Sequence, residues 1–584
     1  MRDAGNRLWI VIGVAVVAAA LAGYQLLPER GVPAGAPTLD EMASGLGGPI
    51  MEHLNRGHVP GRSGELLLVP KPHHYIIGKW DLTTLGTDAP TLTNSHPNPW
   101  AYIARVPIVL YGPPFVAEDR RVERSVDIAD MAPTYAALLG MQALDADGEV
   151  LTEAVEDSPD RAPKVIFTIV LDGGGWNVLQ EHPNSWPTIQ SLREGGTDYI
   201  NATIGSAPSI TGALHATFGT GVYPVTHGIP GNQMRGPDGL NTDAWKQNAD
   251  PEYLLVPTVS ELWDEQNANE PIVGTVSYEG WHLGMIGHGA QREGGDKDIA
   301  VLWEAETNEW WINDDFYELP DYLAETDLDT LERYEEELDE RDGLPDGLWF
   351  GHDLEELRDP VVRPGSSAFA RFTGDAVVDV MRREKLGVDD VPDMFWVEMK
   401  MPDFAGHRWN MIGPEEADVL KVVDDQIARF KRELDRLAGP GNYVIAISAD
   451  HGQQPLPELE GGWRINSNEL LADIEARFGN VVEKITTVDI FFEPEAMENG
   501  DVDLEDVARF LGTYTVGDNI PRGAVGAGFV PVERLDDTIF AGAFPTNYLA
   551  SPPMEFTEPS CEYPTESNLF GPPGPGSTCA SVIE

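Results

Sequence analysis

Residues 165–175 read VIFTIVLDGGG, an apolar run that ends directly in Asp172 and three glycines. Two later stretches repeat this design: residues 394–407 read MFWVEMKMPDFAGH, and residues 443–452 read YVIAISADHG. Apolar runs with little alternation are typical of buried strands in a parallel sheet. Ligands bind beyond the carboxyl ends of such strands, so the three stretches predict one site at one edge of a sheet.

Other segments extend this pattern outward from the three strands. Apolar runs at Glu65–Val69 and Val106–Tyr111 are predicted to be further strands. Helical patterns lie between the strands, at Met131–Leu139, Gly212–Phe218 and Glu415–Leu437. Strands that alternate with helices predict an α/β fold, with a mostly parallel sheet flanked by helices.

Composition divides the chain of 584 residues, which is long enough for three or four domains or for one large domain with insertions. We expect a Gly- and Pro-rich linker at 28–60 and a further segment at 61–150 that precedes the main core. The main core is expected at 164–455, with an acidic insertion at about 300–365. A smaller α+β region at 456–550 and a Pro/Gly-rich tail at 551–584 follow. Within the insertion, Asp321–Asp342 is predicted to be a solvated surface helix, because Leu and Tyr recur at helical spacing among Asp and Glu.

The first segment predicts the compartment. Arg2 and Arg7 precede an uncharged, mostly apolar run at 8–27, which is long enough for a transmembrane helix across a bilayer core of about 30 Å. Positive charges before such a run predict that the N-terminus stays inside and that the rest is exported. The Ala-Leu-Ala stretch at 20–22 offers the alternative of a cleaved signal. We therefore expect a single-pass protein of the cell membrane, or a secreted one, with most of the chain outside the cytoplasm.

Two cysteines, Cys561 and Cys579, lie in the tail. An even pair in an exported chain predicts a disulfide that closes a short loop, which would stabilise the fold by about 3 kcal/mol on loop-entropy grounds. Two reduced cysteines are the alternative.

The charge balance excludes one class of function. The chain carries 97 acidic and 39 basic residues, a formal net charge of −58. Such a surface repels the phosphate backbones of nucleic acids, so general nucleic-acid binding is excluded.

The three predicted strand ends deliver metal-ligating side chains to the same edge of the sheet. These side chains are Asp172, Asp403, His407, Asp450 and His451. A mixture of carboxylate and imidazole ligands favours zinc or a similar divalent ion. Five such groups are too many for one four-coordinate ion and indicate a pair, which is a common device for displacement at phosphorus. A single Asp-Gly turn is commonly structural, but three such strand ends together predict a metal centre.

A candidate nucleophile lies in the stretch 205–232, which reads GSAPSITGALHATFGTGVYPVTHGIPGN. Thr211 stands where an extended segment turns into a predicted helix, at the positive end of the helix dipole. Ser206 and Ser209 are competitors, and a threonine at this position is commonly only a helix cap.

The same stretch resembles the nucleophile region of the alkaline phosphatase superfamily, and most closely its type I phosphodiesterase and nucleotide pyrophosphatase branch. In that branch a threonine precedes a helix and is followed in order by Thr-Gly, Tyr-Pro, His-Gly-Ile and Asn. This chain has the same order and spacing in Thr211, Thr220-Gly221, Tyr223-Pro224, His227-Gly228-Ile229 and Asn232.

The resemblance implies roles for these residues. Thr211 would be the metal-bound nucleophile that becomes transiently phosphorylated, and Asn232 would donate a hydrogen bond to a phosphoryl oxygen. One divalent ion, expected to be zinc, would be held by Asp172, Asp450 and His451, and a second by Asp403 and His407. His215 and His227 match positions that are structural in the family.

The second ion in the family takes a third ligand, a histidine downstream, yet this chain has no histidine after His451. Residues 95–112 (SHPNPWAYIARVPIVLYG) and 126–140 (VDIADMAPTYAALLG) instead resemble the last elements of the family's fold. We therefore expect a circular permutation, in which 61–150 is the family's C-terminal portion and His96 is the third ligand. The alternative is a separate small domain in which His96 is an ordinary loop histidine.

The resemblance implies hydrolysis of phosphate esters, of phosphodiester or nucleotide pyrophosphate bonds, through a phospho-threonine. The alternatives are a phosphomonoesterase, a phosphoryl or head-group transferase, and a non-catalytic metal-binding protein. A monoester carries additional negative charge, and the cationic candidates near the motifs are few, namely Arg235, Lys400 and Arg408. This scarcity favours diester or pyrophosphate substrates.

The Gly-rich stretch 278–298 holds two further histidines, His282 and His288. Either one is a candidate for contact with the substrate or with a third ion. Packing within the loop is the alternative interpretation of both.

Overall fold

The structure is a computed structural model that describes residues 31–77, 94–156, 161–245, 248–520 and 532–550. Its strands are β1 (Leu66–Pro70), β2 (Tyr75–Ile77), β3 (Ile108–Tyr111), β4 (Arg120–Val122), β5 (Val126–Asp127), β6 (Val165–Leu171), β7 (Thr197–Tyr199), β8 (Ala202–Thr203), β9 (Gln233–Arg235), β10 (Asn241–Asp243), β11 (Val273–Val276), β12 (Ile299–Glu304), β13 (Glu309–Trp311), β14 (Leu348–Trp349), β15 (His352–Asp353), β16 (Asp393–Met399), β17 (Tyr443–Ser448), β18 (Arg464–Asn466), β19 (Val482–Ile485), β20 (Asp489–Phe492) and β21 (Phe540–Pro545). Its α-helices are Leu39–Leu46, Gly48–Gly57, Ala101–Ala104, Met131–Leu139, Trp176–Glu181, Pro187–Gly195, Thr211–Thr220, Pro224–His227, Val259–Gln266, Leu328–Glu336, Leu354–Leu357, Ser367–Arg383, Met401–Trp409, Pro414–Leu437, Ser467–Phe478, Pro494–Asn499, Leu504–Leu511 and Thr546–Leu549.

A nine-stranded sheet forms the centre of the molecule, in the order β13-β12-β11-β16-β6-β17-β3-β7-β4. Five successive strands of this sheet, β12, β11, β16, β6 and β17, are parallel to one another. Antiparallel pairs form where β13 meets β12, where β3 meets β17 and where β7 meets β3. Strand β6 lies between β16 and β17 and is buried along its whole length, as its nearly unbroken apolar sequence predicts. The α/β fold with a mostly parallel sheet is therefore confirmed.

Two sets of helices flank this sheet. Ser367–Arg383 and Pro187–Gly195 both contact the long helix Pro414–Leu437, whereas Met131–Leu139 and Thr211–Thr220 contact each other and Val259–Gln266. Each set buries its apolar face in one large core that includes the strands of the central sheet. A layered arrangement of helices and sheet follows, as alternating elements predict.

Two of the five predicted strands lie outside the parallel part of the central sheet. β3, within the run Val106–Tyr111, is antiparallel to β17. β1, within the run Glu65–Val69, leaves the central sheet and pairs antiparallel with β20 and β21. An apolar run shows that a strand is buried, but neither its partner nor its direction can be deduced from that burial.

A second, smaller core surrounds the antiparallel sheet β19-β20-β1-β21. It contains the helices of the predicted α+β region, but its third strand comes from the N-terminal part of the chain.

The predicted linker at 28–60 is wrong over its described part. Two helices, Leu39–Leu46 and Gly48–Gly57, pack there against the smaller core. Gly47 is one of the glycines that suggested a linker. It lies between the two helices, and its backbone φ is 82°. The first helix also has a capping box, in which Thr38 and Glu41 bond each other's backbone N–H.

The acidic stretch Asp321–Asp342 is more broken and more buried than the predicted surface helix. It forms a 3₁₀ turn, the helix Leu328–Glu336 and a second 3₁₀ turn. Leu331 and Tyr334 are buried, because this helix packs on Ser367–Arg383. The stretch is thus part of the main core's surface layer.

The predicted membrane segment at 8–27 and the tail with Cys561 and Cys579 lie outside the described residues. Within the part of the chain that is described, no helix is both long and apolar enough to cross a membrane.

Candidate active site

The ends of three adjacent parallel strands bring three carboxylates together. Asp172 directly follows β6, Asp450 follows β17, and Asp403 lies in the first turn of the helix after β16. Their side chains are at most 2% exposed. The predicted convergence at one sheet edge is therefore present, because parallel neighbours end on the same side.

A first group of metal-ligating atoms consists of Asp172 Oδ1, Asp450 Oδ2 and His451 Nε2. The imidazole nitrogen lies 3.5 Å from the first oxygen and 3.2 Å from the second. All three atoms are buried and have no hydrogen-bond partner among the described residues. Unsatisfied buried polar atoms are costly, so their convergence indicates a site for a cation.

The protonation of His451 suits this role. Its Nδ1 lies 3.1 Å from the carbonyl oxygen of Gly452 and donates to it, which leaves the Nε2 lone pair directed at the two carboxylates. Burial lowers the pKa of His451 well below its ordinary value, so the ring is neutral. Burial raises the pKa of Asp172 and Asp450, because the carboxylates lose water; neighbouring carboxylates raise it as well, whereas Lys400 lowers it.

A second group surrounds Asp403. His407, one helical turn along the same helix, has its Nε2 3.1 Å from Asp403 Oδ1, and His96 Nε2 lies 3.3 Å from the same oxygen. The Nδ1 of His96 bonds the carbonyl of Ser209 at 2.9 Å, and that of His407 bonds the carbonyl of Asn94 at 2.6 Å. Both rings therefore present Nε2 to the site, as metal-ligating histidines do.

The two groups are adjacent. The rings of His96 and His451 stack with their centroids 3.4 Å apart. Ligand atoms of His96, Asp403 and His451 all lie within 4.8 Å of one another, as do those of Asp172, Asp450 and His451. His451 thus stands between the two candidate ion positions.

Lys400 lies between the two groups as well. Its Nζ is 2.8 Å from Asp172 Oδ2 and 2.7 Å from Asp403 Oδ2, and its side chain is buried. The ammonium group of Lys400 therefore supplies positive charge to both Asp172 and Asp403. The charge of Lys400 is committed to these carboxylates, and they raise its pKa well above its ordinary value although burial alone would lower it.

His282 contacts Asp172, a role that the sequence did not predict. Its Nδ1 accepts the backbone N–H of Glu279 at 2.9 Å, so in the neutral ring Nε2 carries the proton. That Nε2 lies 3.5 Å from Asp172 Oδ2. His282 is therefore packed against a metal-ligating carboxylate, although its Nε2 has no hydrogen-bond partner among the described residues.

His215, which the resemblance left out of the site, also lies at its edge. Its Nδ1 bonds the carbonyl oxygen of Thr211 at 2.9 Å and lies 3.7 Å from Asp450 Oδ2. The spacing of four residues from Thr211 on one helix was the only sequence signal for this contact.

His227 and His288, the two other histidines considered in the sequence, form hydrogen bonds away from the ligand groups. His227 bonds Thr217 of the preceding helix and the N–H of Ile229. His288 bonds Glu261 and the carbonyl of Leu254.

Thr211 is the first residue of the helix Thr211–Thr220 and is 3% exposed. The backbone N–H of the next residue, Gly212, donates to Asn232 Oδ1 at 2.9 Å. This bond fixes the orientation of the Asn232 amide, so its NH₂ group is directed elsewhere and is suited to donation. The two predicted catalytic residues are thus linked through one hydrogen bond.

The competing serines have other surroundings. The Ser209 hydroxyl bonds the carbonyl oxygens of His96 and Asn98 and so ties the His96 loop to the Thr211 segment. Ser206 is fully buried. Both positions are less suited to attack on a substrate than the helix start at Thr211.

The remaining cationic candidates point away from the ligand groups. Arg235 forms ion pairs with Glu65, at 2.7 Å, and with Glu483. Arg408 donates to the carbonyl of Val361. Neither contact involves the metal-ligating side chains.

The fold and the two groups of ligand atoms define a hydrolase of the alkaline phosphatase superfamily. The family model described as type I phosphodiesterase / nucleotide pyrophosphatase matches residues 166–512, more than half of the chain, and the chain belongs to this family. The match leaves 61–150 outside, so the circular permutation stays a prediction. β3 nevertheless lies inside the central sheet, between β17 and β7, and His96 reaches Asp403.

The chain is also similar to curated proteins and to a solved structure. It is 23% identical to alkaline phosphatase PafA of Elizabethkingia meningoseptica over 401 residues, 60% of this chain and 73% of that protein. It is 22% identical to alkaline phosphatase PhoD of Zymomonas mobilis over 336 residues, 52% of this chain and 55% of that protein. The crystal structure of wild-type PafA matches with a TM-score of 0.51 and 18% identity, covering 61% of this chain and 76% of that one. These likenesses support the fold and a phosphoester hydrolase.

Proposed function

We propose that this chain hydrolyses phosphodiester or nucleotide pyrophosphate bonds, with Thr211 as the nucleophile. The observation that carries the proposal is the pair of buried ligand groups around Asp172 and Asp403, next to a helix that begins at Thr211. Membership of the phosphodiesterase and pyrophosphatase family supports the same reaction class.

The residues fit a pair of divalent ions. Asp172, Asp450 and His451 offer three unpartnered buried ligand atoms for one, and Asp403, His407 and His96 would hold the other. Carboxylate and imidazole ligands match zinc well. Such ions, when bound, supply Lewis-acid stabilisation of the charge that develops on the attacking and leaving oxygens.

The chain's own residues account for the two displacement steps. In the first, Thr211 Oγ gives its proton to solvent and attacks phosphorus, and the leaving oxygen departs with the electron pair of its bond to phosphorus. In the second, water attacks the phospho-threonine, the bond from phosphorus to Thr211 Oγ breaks, and a proton from the attacking water restores the Thr211 hydroxyl. The Asn232 amide donates to a non-bridging phosphoryl oxygen throughout, since its Oδ1 is held by Gly212.

A diester is favoured over a monoester by the charges around the site. A monoester brings an additional negative charge and needs extra cationic donors. Lys400 is committed to Asp172 and Asp403, and Arg235 is committed to Glu65 and Glu483. The alternatives are monoester hydrolysis of the alkaline phosphatase type and transfer of a phosphoryl or head group to an alcohol.

The first test compares kcat/KM of the purified full-length chain, supplied with zinc, for bis(4-nitrophenyl) phosphate and 4-nitrophenyl phosphate. We expect the diester to be preferred. Thr211→Ala and His96→Ala should each lower diester kcat/KM, the former by at least about 10³-fold because the nucleophile is removed. Thr226→Ala is the matched control, because this exposed threonine lies outside the site.

Equal rates for Thr211→Ala and the native chain would contradict the proposed nucleophile. A monoester preference would contradict the diester assignment and would support monoester hydrolysis.

A further inference from the structure

A cavity of 200 Å³ lies beside the proposed nucleophile. It is lined by Asp243, Trp245, Ala249, Glu279, Gly280, Trp281 and Trp311. Three tryptophans and two carboxylates in one small cavity form a distinctive chemical surface, which the proposed reaction does not use.

Two contacts join this cavity to the residues of the reaction. The backbone N–H of Ala244, between Asp243 and Trp245, donates to the carbonyl of Asn232 at 2.9 Å. On the other side, a methyl group placed on Gly212 would lie 3.3 Å from Trp281 Cβ. Segments that line the cavity therefore contact both Asn232 and the residue after Thr211, and we expect a group attached to the phosphorus of a substrate to reach it.

The electrostatic character of the cavity is negative. No lysine or arginine lines it within the part of the chain that the structure describes, and Lys246, the neighbour of Trp245, is not among those residues. The pKa of Glu279 is raised to about 7, chiefly by burial, which Lys400 opposes and the carboxylates of Glu304 and Asp243 reinforce.

We propose that this cavity, here termed the amine pocket, binds the cationic amine or quaternary ammonium group of a phosphodiester substrate. Indole rings attract such cations through their π-electrons, and the carboxylates of Asp243 and Glu279 neutralise the charge. This inference rests on the proposed phosphodiester hydrolysis and specifies its substrate class.

The size of the amine pocket supports a small head group. Its 200 Å³ is below the range of about 300–1,000 Å³ that holds drug-sized ligands. A nucleobase is the rival occupant, because it too can stack on indoles.

The test uses two substrates with the same leaving group and nearly the same shape. One is 4-nitrophenyl phosphocholine, and the other is 4-nitrophenyl 3,3-dimethylbutyl phosphate, in which carbon replaces the charged nitrogen. We expect the native full-length chain with zinc to prefer the charged substrate by about tenfold or more in kcat/KM. Bis(4-nitrophenyl) phosphate is assayed alongside as a measure of basal diesterase activity.

Variants assign the preference to the pocket. Asp243→Asn and Trp245→Leu should each lower the ratio of charged to neutral substrate by at least about fivefold. Glu306→Gln, which removes an exposed carboxylate outside the cavity, should keep the ratio. Lys246→Met should also keep it, and loss of the ratio there would contradict a pocket made by the tryptophans and carboxylates.

The outcomes separate this inference from the proposed function. Hydrolysis of bis(4-nitrophenyl) phosphate with a charged-to-neutral ratio near one would overturn the amine pocket alone. Failure to hydrolyse any of the three diesters would overturn the proposed function. A preference for the 4-nitrophenyl ester of thymidine 5′-monophosphate that is weakened by Trp245→Leu would assign the cavity to a nucleobase instead.

Discussion

Individual imidazole nitrogens distinguish ligands from supporting residues in this site. His96, His407 and His451 each bond a backbone carbonyl through Nδ1 and present Nε2 to a carboxylate. His282 has the opposite arrangement, because its Nδ1 accepts a backbone N–H. The first three are therefore suited to bind a metal ion, and His282 is suited to hold Asp172 in place.

This difference predicts the effect of replacing His282. In His282→Ala, Asp172 loses the buried imidazole that lies 3.5 Å from its Oδ2, so the zinc concentration for half-maximal activity should rise about 10- to 100-fold. The activity at saturating zinc should change much less. A titration of apoenzyme with zinc, followed by diesterase rate, measures both quantities.

His288→Gln is the control for the previous prediction, since His288 bonds Glu261 and Leu254 away from the carboxylate groups. It should alter the melting temperature without changing the zinc requirement. An unchanged zinc requirement in His282→Ala would show that His282 only packs.

At the scale of elements, the position of His282 depends on close contact between two short helices. The helix Thr211–Thr220 packs against the 3₁₀ helix Gly280–Met285, which carries His282. A methyl group on Gly219 would lie 2.2 Å from the carbonyl oxygen of Gly284. The two backbones therefore approach as closely as they do because both residues are glycine.

Gly219→Ala should separate these helices and displace His282 relative to Asp172. We expect destabilisation by about 1–3 kcal/mol and a loss of kcat/KM of about tenfold or more, measured by thermal denaturation and by diesterase assay. Gly195→Ala is the matched control, because the added methyl group would meet Tyr111 at an ordinary 3.4 Å. Native activity in Gly219→Ala would contradict the importance of this contact.

At the scale of the whole molecule, the segment before residue 156 is integrated into both cores. β3 lies between β17 and β7 in the central sheet, and β1 lies between β20 and β21 in the smaller one. The separate-domain alternative for 61–150 does not agree with this arrangement. The circular permutation stays a prediction, and the placement of β3 and His96 agrees with it.

A truncation tests this integration. Residues 161–584 contain the whole stretch that matches the family, yet they lack β3, β1 and His96. We expect this fragment to be insoluble or inactive, because removal of β3 leaves β17 and β7 without the strand between them. Production together with residues 31–156 should restore soluble, active protein, as judged by gel filtration and diesterase assay. A fully active fragment 161–584 would show that the N-terminal segment is dispensable.

Much of the site could be predicted from local sequence. The ends of β6, β16 and β17 carry Asp172, Asp403 and Asp450, and parallel strands in one sheet must deliver such residues to the same edge. The motif that begins at Thr211 and ends at Asn232 predicted a pair that the structure joins through Gly212. His96 was predicted from the motifs around it, although it precedes Asp403 by about 300 residues.

The sequence by itself determined the α/β class, the ligand-bearing strand ends and the candidate nucleophile, because each depends on residues that are close in the chain. Tertiary structure alone decided that residues 39–57 pack as helices, that Lys400 lies between two carboxylates, and that His282 supports Asp172. It also decided that tryptophans from three separate segments line one cavity beside Asn232. These contacts join residues far apart in sequence, and local composition and periodicity carry no information about such partners.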